Sequence, residues 1–191
     1  MELIDAVKNR RSIHEFEQKQ IPKPDLQTLF SQAAWAPTHR MKEPWNLRCY
    51  QGEGIEAYTS AVLASYERQG FFSSYEQEKR DKMKTGIERF LQSIPHHVLV
   101  YMEREEDLVK YEEDYAAVCA FIQNTQLLAW EKQIGVLWTT SPYLHDPQFA
   151  SDLQLDPETK KLVAVLQMGY PKRIPKAKAR TPVTEKLTFI E

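Results

Sequence analysis

A long apolar segment near the middle of the chain constrains the fold more than any other feature of the sequence. Between Asp114 and Trp130, alanine, valine, phenylalanine, isoleucine and leucine occupy nearly every side of a helix, and only Gln123 and Asn124 interrupt them. A helix that is hydrophobic all round is buried by its neighbours. We therefore expect this segment to be the central helix of the domain, or to be shared with a partner subunit.

The flanking segments alternate between helical and strand patterns. Apolar residues at helical spacing predict helices in the first ten residues and at 25–36, 55–67, 75–91 and 147–153, and apolar runs predict strands at 46–50, 98–102, 135–139 and 162–168. This order predicts an α+β domain in which helices flank a central mixed β-sheet. We expect residues 1–191 to form one domain. The proline-rich and lysine-rich residues 172–191 should lean on another surface as a C-terminal arm.

Composition excludes several classes of function. The formal net charge is −2, so no basic excess favours nucleic acid or an anionic membrane surface. No apolar run is long enough to span a bilayer, and the first residues are not those of a signal peptide. Cys49 and Cys119 lie in separate apolar segments, and we expect both to be buried thiols in a cytoplasmic protein. With six glycines and no glycine-rich phosphate motif, a P-loop or dinucleotide fingerprint is absent.

Arginine residues stand at both ends of the chain. Arg10, Arg11 and Ser12 close the first helix, and Arg180 lies in the basic tail. Guanidinium groups bind phosphate oxygens in a fork geometry that lysine cannot provide. An acidic protein with such a cluster is predicted to hold a small phosphorylated molecule between its two ends. The alternative is a solvated basic surface.

Four stretches in this order resemble the nitroreductase family of flavin mononucleotide (FMN) oxidoreductases. They are Arg10-Arg11-Ser12, the loop from Ala36-Pro37-Thr38-His39 to Glu43-Pro44-Trp45, the central segment from Asp114-Tyr115-Ala116-Ala117 to Gln123-Asn124, and residues 135–140 with Gly169-Tyr170-Pro171 and Arg180. The resemblance covers nearly the whole chain and is strongest to the short members of the family. The loop differs from the family pattern, because Arg40-Met41-Lys42 replaces the usual small polar residues and Glu43 replaces glutamine.

The resemblance implies a homodimer with FMN at the subunit interface and with the C-terminal arm reaching the partner subunit. NAD(P)H would pass a hydride to flavin N5, and a nitroaromatic, quinone or similar acceptor would then take it in a ping-pong cycle. Stabilisation of the negative charge on reduced flavin is the contribution expected of a nearby arginine, and no side chain is expected to act as a nucleophile. Neither metal, nucleic acid nor membrane is expected as a partner.

The resemblance also assigns site residues by position. Those implied at the FMN phosphate, ribityl chain or pyrimidine edge are Arg10, Arg11, Ser12 and Arg180. Those implied around the isoalloxazine ring are Trp138, Thr139 and Thr140, and those implied to come from the partner subunit are Thr38 and His39.

Several of these residues have simpler explanations. Trp138 is equally well a core residue, and His39 an exposed loop histidine. We expect His96 and His97 to end a loop, with one of them half-buried, and Glu112-Glu113-Asp114 to begin a helix. For the whole chain, the alternatives are a flavin-binding carrier or sensor with little turnover, and a helical dimer without a cofactor.

Overall fold

The computed structural model describes residues 1–191, which form six helices and four strands. The helices are α1 (Leu3–Asn9), α2 (Lys23–Ala33), α3 (Gly54–Arg68), α4 (Gln77–Gln92), α5 (Leu108–Glu131) and α6 (Pro147–Asp152), and the strands are β1 (Asn46–Gln51), β2 (His96–Glu103), β3 (Gly135–Thr139) and β4 (Lys160–Gly169). Short 3₁₀ turns cover His39–Met41, Pro142–His145 and Val183–Glu185. No helix is long and apolar enough to cross a membrane.

The four strands form one sheet in the order β1-β2-β4-β3. Every pair of neighbouring strands is antiparallel, which corrects the expectation of mixed pairing. The strands β2 and β3 do run in the same direction after the crossover through α5, but β4 lies between them. The one parallel pairing is the isolated bridge between Ser12 and Val136 on the free edge of β3.

Helices cover both faces of the sheet, so the α+β architecture is confirmed. On one face, α2 and α5 pack over alternate strand residues such as Val98, Val100 and Leu166. On the other face, α3 and α6 pack over residues such as Leu99 and Val165. This alternation follows from the two-residue period of side chains along a strand.

The apolar segment near residue 120 does form the central helix, but α5 begins earlier than predicted. Asp107 caps it, because its carboxylate accepts hydrogen bonds from the backbone N–H groups of Val109 (3.0 Å) and Lys110 (3.3 Å). Asp114 therefore lies in the second turn, where it is buried, and not at the helix start as expected. The face of α5 that carries Ala116, Cys119, Ala120 and Leu127 is exposed or half-exposed in the single chain.

Two expectations about burial are wrong. His96 and His97 lie inside β2 and are both fully buried, because main-chain groups from other segments bind their rings. Cys49 is exposed, since β1 is an edge strand, and Cys119 is half-buried.

The tail leaves the body of the molecule after Pro171, which forms a bridge with Phe16. Residues 172–191 are exposed throughout, including Leu187, Phe189 and Ile190. A tail with exposed apolar side chains and a single short 3₁₀ turn has no core of its own.

Candidate functional site

The two ends of the chain bring three arginines together. Arg10 follows α1 and is half-buried, and its Nη1 donates a hydrogen bond to Oε1 of Gln126 on α5 (3.3 Å). Burial lowers the pKa of Arg10, and the nearby positive charges of Arg11 and Arg180 lower it further. Arg180 thus lies close enough to Arg10 for its positive charge to affect the pKa of Arg10, although 170 residues separate the two in sequence.

This basic cluster, Arg10, Arg11 and Arg180, has no acidic partner. No ion pair of the chain includes any of the three side chains. Arg11 instead donates from Nη1 to the carbonyl oxygens of Lys8 (2.8 Å) and Arg10 (2.6 Å). Like charges held together without a carboxylate repel each other, so the cluster favours an anion from outside the chain.

The free edge of β3 lies beside this cluster. Ser12 bridges Val136, and the backbone N–H of Ile13 donates to the carbonyl oxygen of Val136 (3.3 Å). Because backbone groups alternate in direction along a strand, the N–H and C=O of Trp138 point to the same free edge as those of Val136. The segment Arg10–Ser12 and the backbone of Trp138 thus belong to one edge of the sheet.

The side chains of Trp138 and Thr139 point to opposite faces of the sheet. Trp138 pairs with Leu166 and packs against the core under α5, where its indole N–H is buried without a partner. Thr139 pairs with Val165 on the other face, and its hydroxyl lies 2.9 Å from that of Ser141. Thr140 is exposed just beyond the end of β3. A single ring cannot contact both of the first two side chains from one face of the sheet, and the backbone groups of Thr139 point toward β4, so the N–H and C=O of Trp138 are the groups that face the edge.

The loop with Thr38 and His39 lies over the beginning of α5. Lys42 Nζ lies 2.5 Å from Oδ2 of the buried Asp114, and His39 Nδ1 lies 3.6 Å from Oε1 of Glu113. The hydroxyl of Thr38 accepts a hydrogen bond from the backbone N–H of Glu43 (3.0 Å), which closes the loop.

This loop is strained. Arg40 (φ 49°), Met41 (φ 56°) and Glu43 (φ 49°) all lie in the left-handed region. That conformation costs a non-glycine residue about 1–2 kcal/mol, and such strain concentrates at functional segments. The ion pair between Lys42 and Asp114 opposes the strain by fixing the loop to the central helix.

One chain does not bring the loop and the basic cluster together. The loop is fixed to Asp114 and the cluster to Gln126, both on α5. Twelve residues separate these positions, which corresponds to about 18 Å along a helix. Thr38 and His39 therefore lie far from Arg10 of the same chain.

The structure identifies two residues that sequence reasoning missed, Gln126 and Lys42. A cation near Asp114 could have been predicted from the sequence, because a carboxylate on the apolar stripe of a buried helix requires a cation nearby. Gln126 had no comparable signal. No group of three histidine, cysteine, aspartate or glutamate side chains is arranged to hold a metal ion.

Comparisons of the sequence and of the structure with known proteins both match this chain to one family. The family model described as the nitroreductase family matches residues 7–170. A Bacillus subtilis protein named "Putative NAD(P)H nitroreductase YfhC" is 31% identical over 186 residues, which cover 97% of this chain and 93% of that protein.

Two solved structures illustrate the shared fold. A nitroreductase-like family protein from Bacillus cereus superposes with a TM-score of 0.89 at 37% identity, covering 100% of this chain and 97% of that one. The FMN-dependent nitroreductase NfnB from Mycobacterium smegmatis, solved in complex with NADPH, has a TM-score of 0.75 at 15% identity, covering 98% of this chain and 97% of that one. At that low identity the second likeness concerns the fold alone.

Proposed function

Because the chain belongs to the nitroreductase family, we propose that it is an FMN-dependent oxidoreductase that uses NAD(P)H. We base the choice of cofactors on the family and on solved neighbours such as NfnB, which is described as FMN-dependent and was solved in complex with NADPH. What supports the proposal in this chain is the basic cluster.

The residues present fit the phosphate of FMN. Arg10, Arg11 and Arg180 supply guanidinium donors without a competing carboxylate, and Ser12 supplies a hydroxyl beside them. Charge-assisted hydrogen bonds of this kind are about twice as strong as those between neutral groups. A phosphate dianion would also relieve the repulsion that lowers the pKa of Arg10.

Bound FMN would supply the hydride chemistry of a ping-pong cycle. In that cycle NAD(P)H donates a hydride and leaves, and a nitroaromatic, quinone or similar acceptor then takes the hydride. The chain would bind and orient the participants. Gln126 orients Arg10 through the hydrogen bond to Nη1, and the free edge of β3 offers the backbone groups of Trp138 to the ring. Trp138, Thr139 and Thr140 would shield that edge from water.

We also propose a homodimer, with Thr38 and His39 reaching the FMN of the partner subunit. The separation of about 18 Å along α5 supports this, because Thr38 and His39 would not reach the basic cluster of their own chain. The half-exposed face of α5 and the apolar residues of the tail provide surface for a second copy. The tail, residues 172–191, would extend over that copy as part of the single domain 1–191. The unpaired cysteines support a cytoplasmic location.

The test is the flavin content and reactivity of the purified protein. We expect a yellow protein whose absorbance bleaches with NADH or NADPH without oxygen and recovers with a quinone. Arg180→Ala should weaken FMN binding about 10-fold to 150-fold, the loss of about 1.5–3 kcal/mol expected for a hydrogen bond to a charged group. Arg173→Ala, a control in the same tail, should leave FMN binding unchanged.

Two results would refute parts of the proposal. A colourless protein that gains no flavin from added FMN would exclude the cofactor. A yellow protein that neither nicotinamide reduces would instead support a flavin-binding carrier or sensor.

A further inference from the structure

Two adjoining pairs of hydroxyl groups lie at the turn that follows β3. The hydroxyls of Thr139 and Ser141 are 2.9 Å apart, and those of Tyr58 and Tyr143 are 3.0 Å apart. The two pairs adjoin, because Tyr143 follows Ser141 by two residues and the backbone N–H of Leu144 donates a hydrogen bond to the carbonyl oxygen of Ser141 (3.0 Å). We call Thr139, Ser141, Tyr143 and Tyr58 the hydroxyl network.

The lower half of the network is held rigidly in the core. Tyr58 is fully buried, and Tyr143 is 2% exposed. Their rings meet edge to face at 6.4 Å, and Tyr58 also stacks on His97 at 4.4 Å. Burial raises the pKa of both phenols, so they stay protonated at neutral pH. Water cannot replace their hydrogen bonds at this depth, since the surrounding residues are apolar.

The upper half of the network ends at the candidate site. Ser141 is half-buried and Thr140 is exposed, so this turn is where the network meets the surface. Because the other end stops at the fully buried Tyr58, the network anchors the turn to the core and does not open a path to solvent there.

We propose that Tyr143, supported by Tyr58, is a positioning residue that fixes the turn of residues 139–141 and thereby the backbone groups facing the flavin. The inference rests on the proposed function. Donors at the edge of a flavin tune its electronic properties, and a misplacement of about 1 Å can slow a reaction about 100-fold. Tyr143 would act through Ser141 and Thr139 without touching the cofactor.

The experiment compares Tyr143→Phe with the unaltered holoenzyme. We expect a shifted flavin absorption band, a shifted midpoint potential and a reduction by NAD(P)H that is about 3-fold to 10-fold slower. FMN retention should be unchanged, because the basic cluster remains. Ser141→Ala removes the hydroxyl that pairs with Thr139 from a half-buried position and should shift the same three quantities, which provides a second test if Tyr143→Phe folds poorly.

Tyr101→Phe is the matched control. Tyr101 packs against the same core, but its hydroxyl does not belong to the network. This variant should leave band, potential and rate unchanged. If Tyr143→Phe and Ser141→Ala match the unaltered protein in all three, the positioning role is refuted while the proposed function stands. A protein that binds no FMN at all would refute both.

Discussion

Mild acid should destabilise this fold through His96 and His97. Nε2 of His96 accepts a hydrogen bond from the backbone N–H of Ile21 (2.8 Å), so its proton sits on Nδ1, which faces Oε1 of Gln51 (3.1 Å). His97 donates from Nε2 to the carbonyl oxygen of Leu91 (2.9 Å). Both rings are fully buried in their neutral form, and burial lowers the pKa of each from 6.5 to about 4.

The sign and size of the effect follow from linkage between protonation and folding. Between pH 6.5 and about 4 the unfolded chain binds a proton at each histidine while the folded chain does not, so stability falls as the pH falls through this range. One pKa unit corresponds to about 1.4 kcal/mol. Each histidine should therefore cost about 2 kcal/mol of unfolding free energy between pH 7.5 and pH 5, and the two together about 4 kcal/mol.

The assay is urea unfolding at both pH values, with protein and FMN concentrations fixed. His97→Phe keeps a ring against Tyr58, and the carbonyl of Leu91 keeps its hydrogen bond from Ile94. The variant should lose about 1 kcal/mol at pH 7.5, yet its stability should fall by about 2 kcal/mol less than that of the unaltered protein on acidification. His14→Gln, at an exposed histidine, is the control. If His97→Phe and the unaltered protein lose equal stability between the two pH values, the reasoning is wrong.

Two further predictions concern the loop and the approach of the first segment to β3. Lys42→Met leaves the buried Asp114 unpaired and should lower the free energy of unfolding in urea by about 1–2 kcal/mol. Lys110→Met breaks an exposed pair with Asp107 and should lower it by less than about 0.5 kcal/mol. Equal losses in the two variants would contradict the anchoring role of Lys42. Gly135→Ala would place a Cβ 2.7 Å from Cγ1 of Ile13, so it should cost about 1–3 kcal/mol and displace Ser12, measurable as weaker FMN binding. Gly86→Ala in α4, which has open space around it, should instead stabilise by about 0.5–1 kcal/mol, and a similar loss in both variants would exclude the steric explanation.

The central helix and the strands could be predicted because their signals are local. The apolar run of α5 and the short apolar runs of β2 and β4 report burial directly. The first turns of α5 were not predicted, because Lys110 and its charged neighbours resemble a surface segment. The capping residue Asp107 is a single residue and gives no repeating pattern. Element type is thus recoverable where side-chain hydrophobicity repeats, and element ends are not.

Buried polar residues could not be predicted, because their partners are distant in sequence. His96 is buried because Ile21 offers an N–H, and the carboxylate of Asp114 meets Lys42. Seventy-five residues separate the first pair and seventy-two the second. For the candidate site, the resemblance suggested Arg10 and Arg180, whose roles at a cofactor stay predictions, whereas Gln126 could be found only from its hydrogen bond with Arg10.

The way the chain enters and leaves the sheet has a practical consequence for protein production. The carbonyl oxygen of Glu15 accepts from the N–H of Lys172, and Glu17 donates its N–H to the carbonyl oxygen of Tyr170, so the opening and closing segments run side by side. The segment that follows Arg10 is therefore fixed to the segment from which the tail with Arg180 departs. An acidic tag fused next to either segment would bring carboxylates to the basic cluster and compete with a bound anion, so measurements of flavin occupancy should use material from which such a tag has been cleaved.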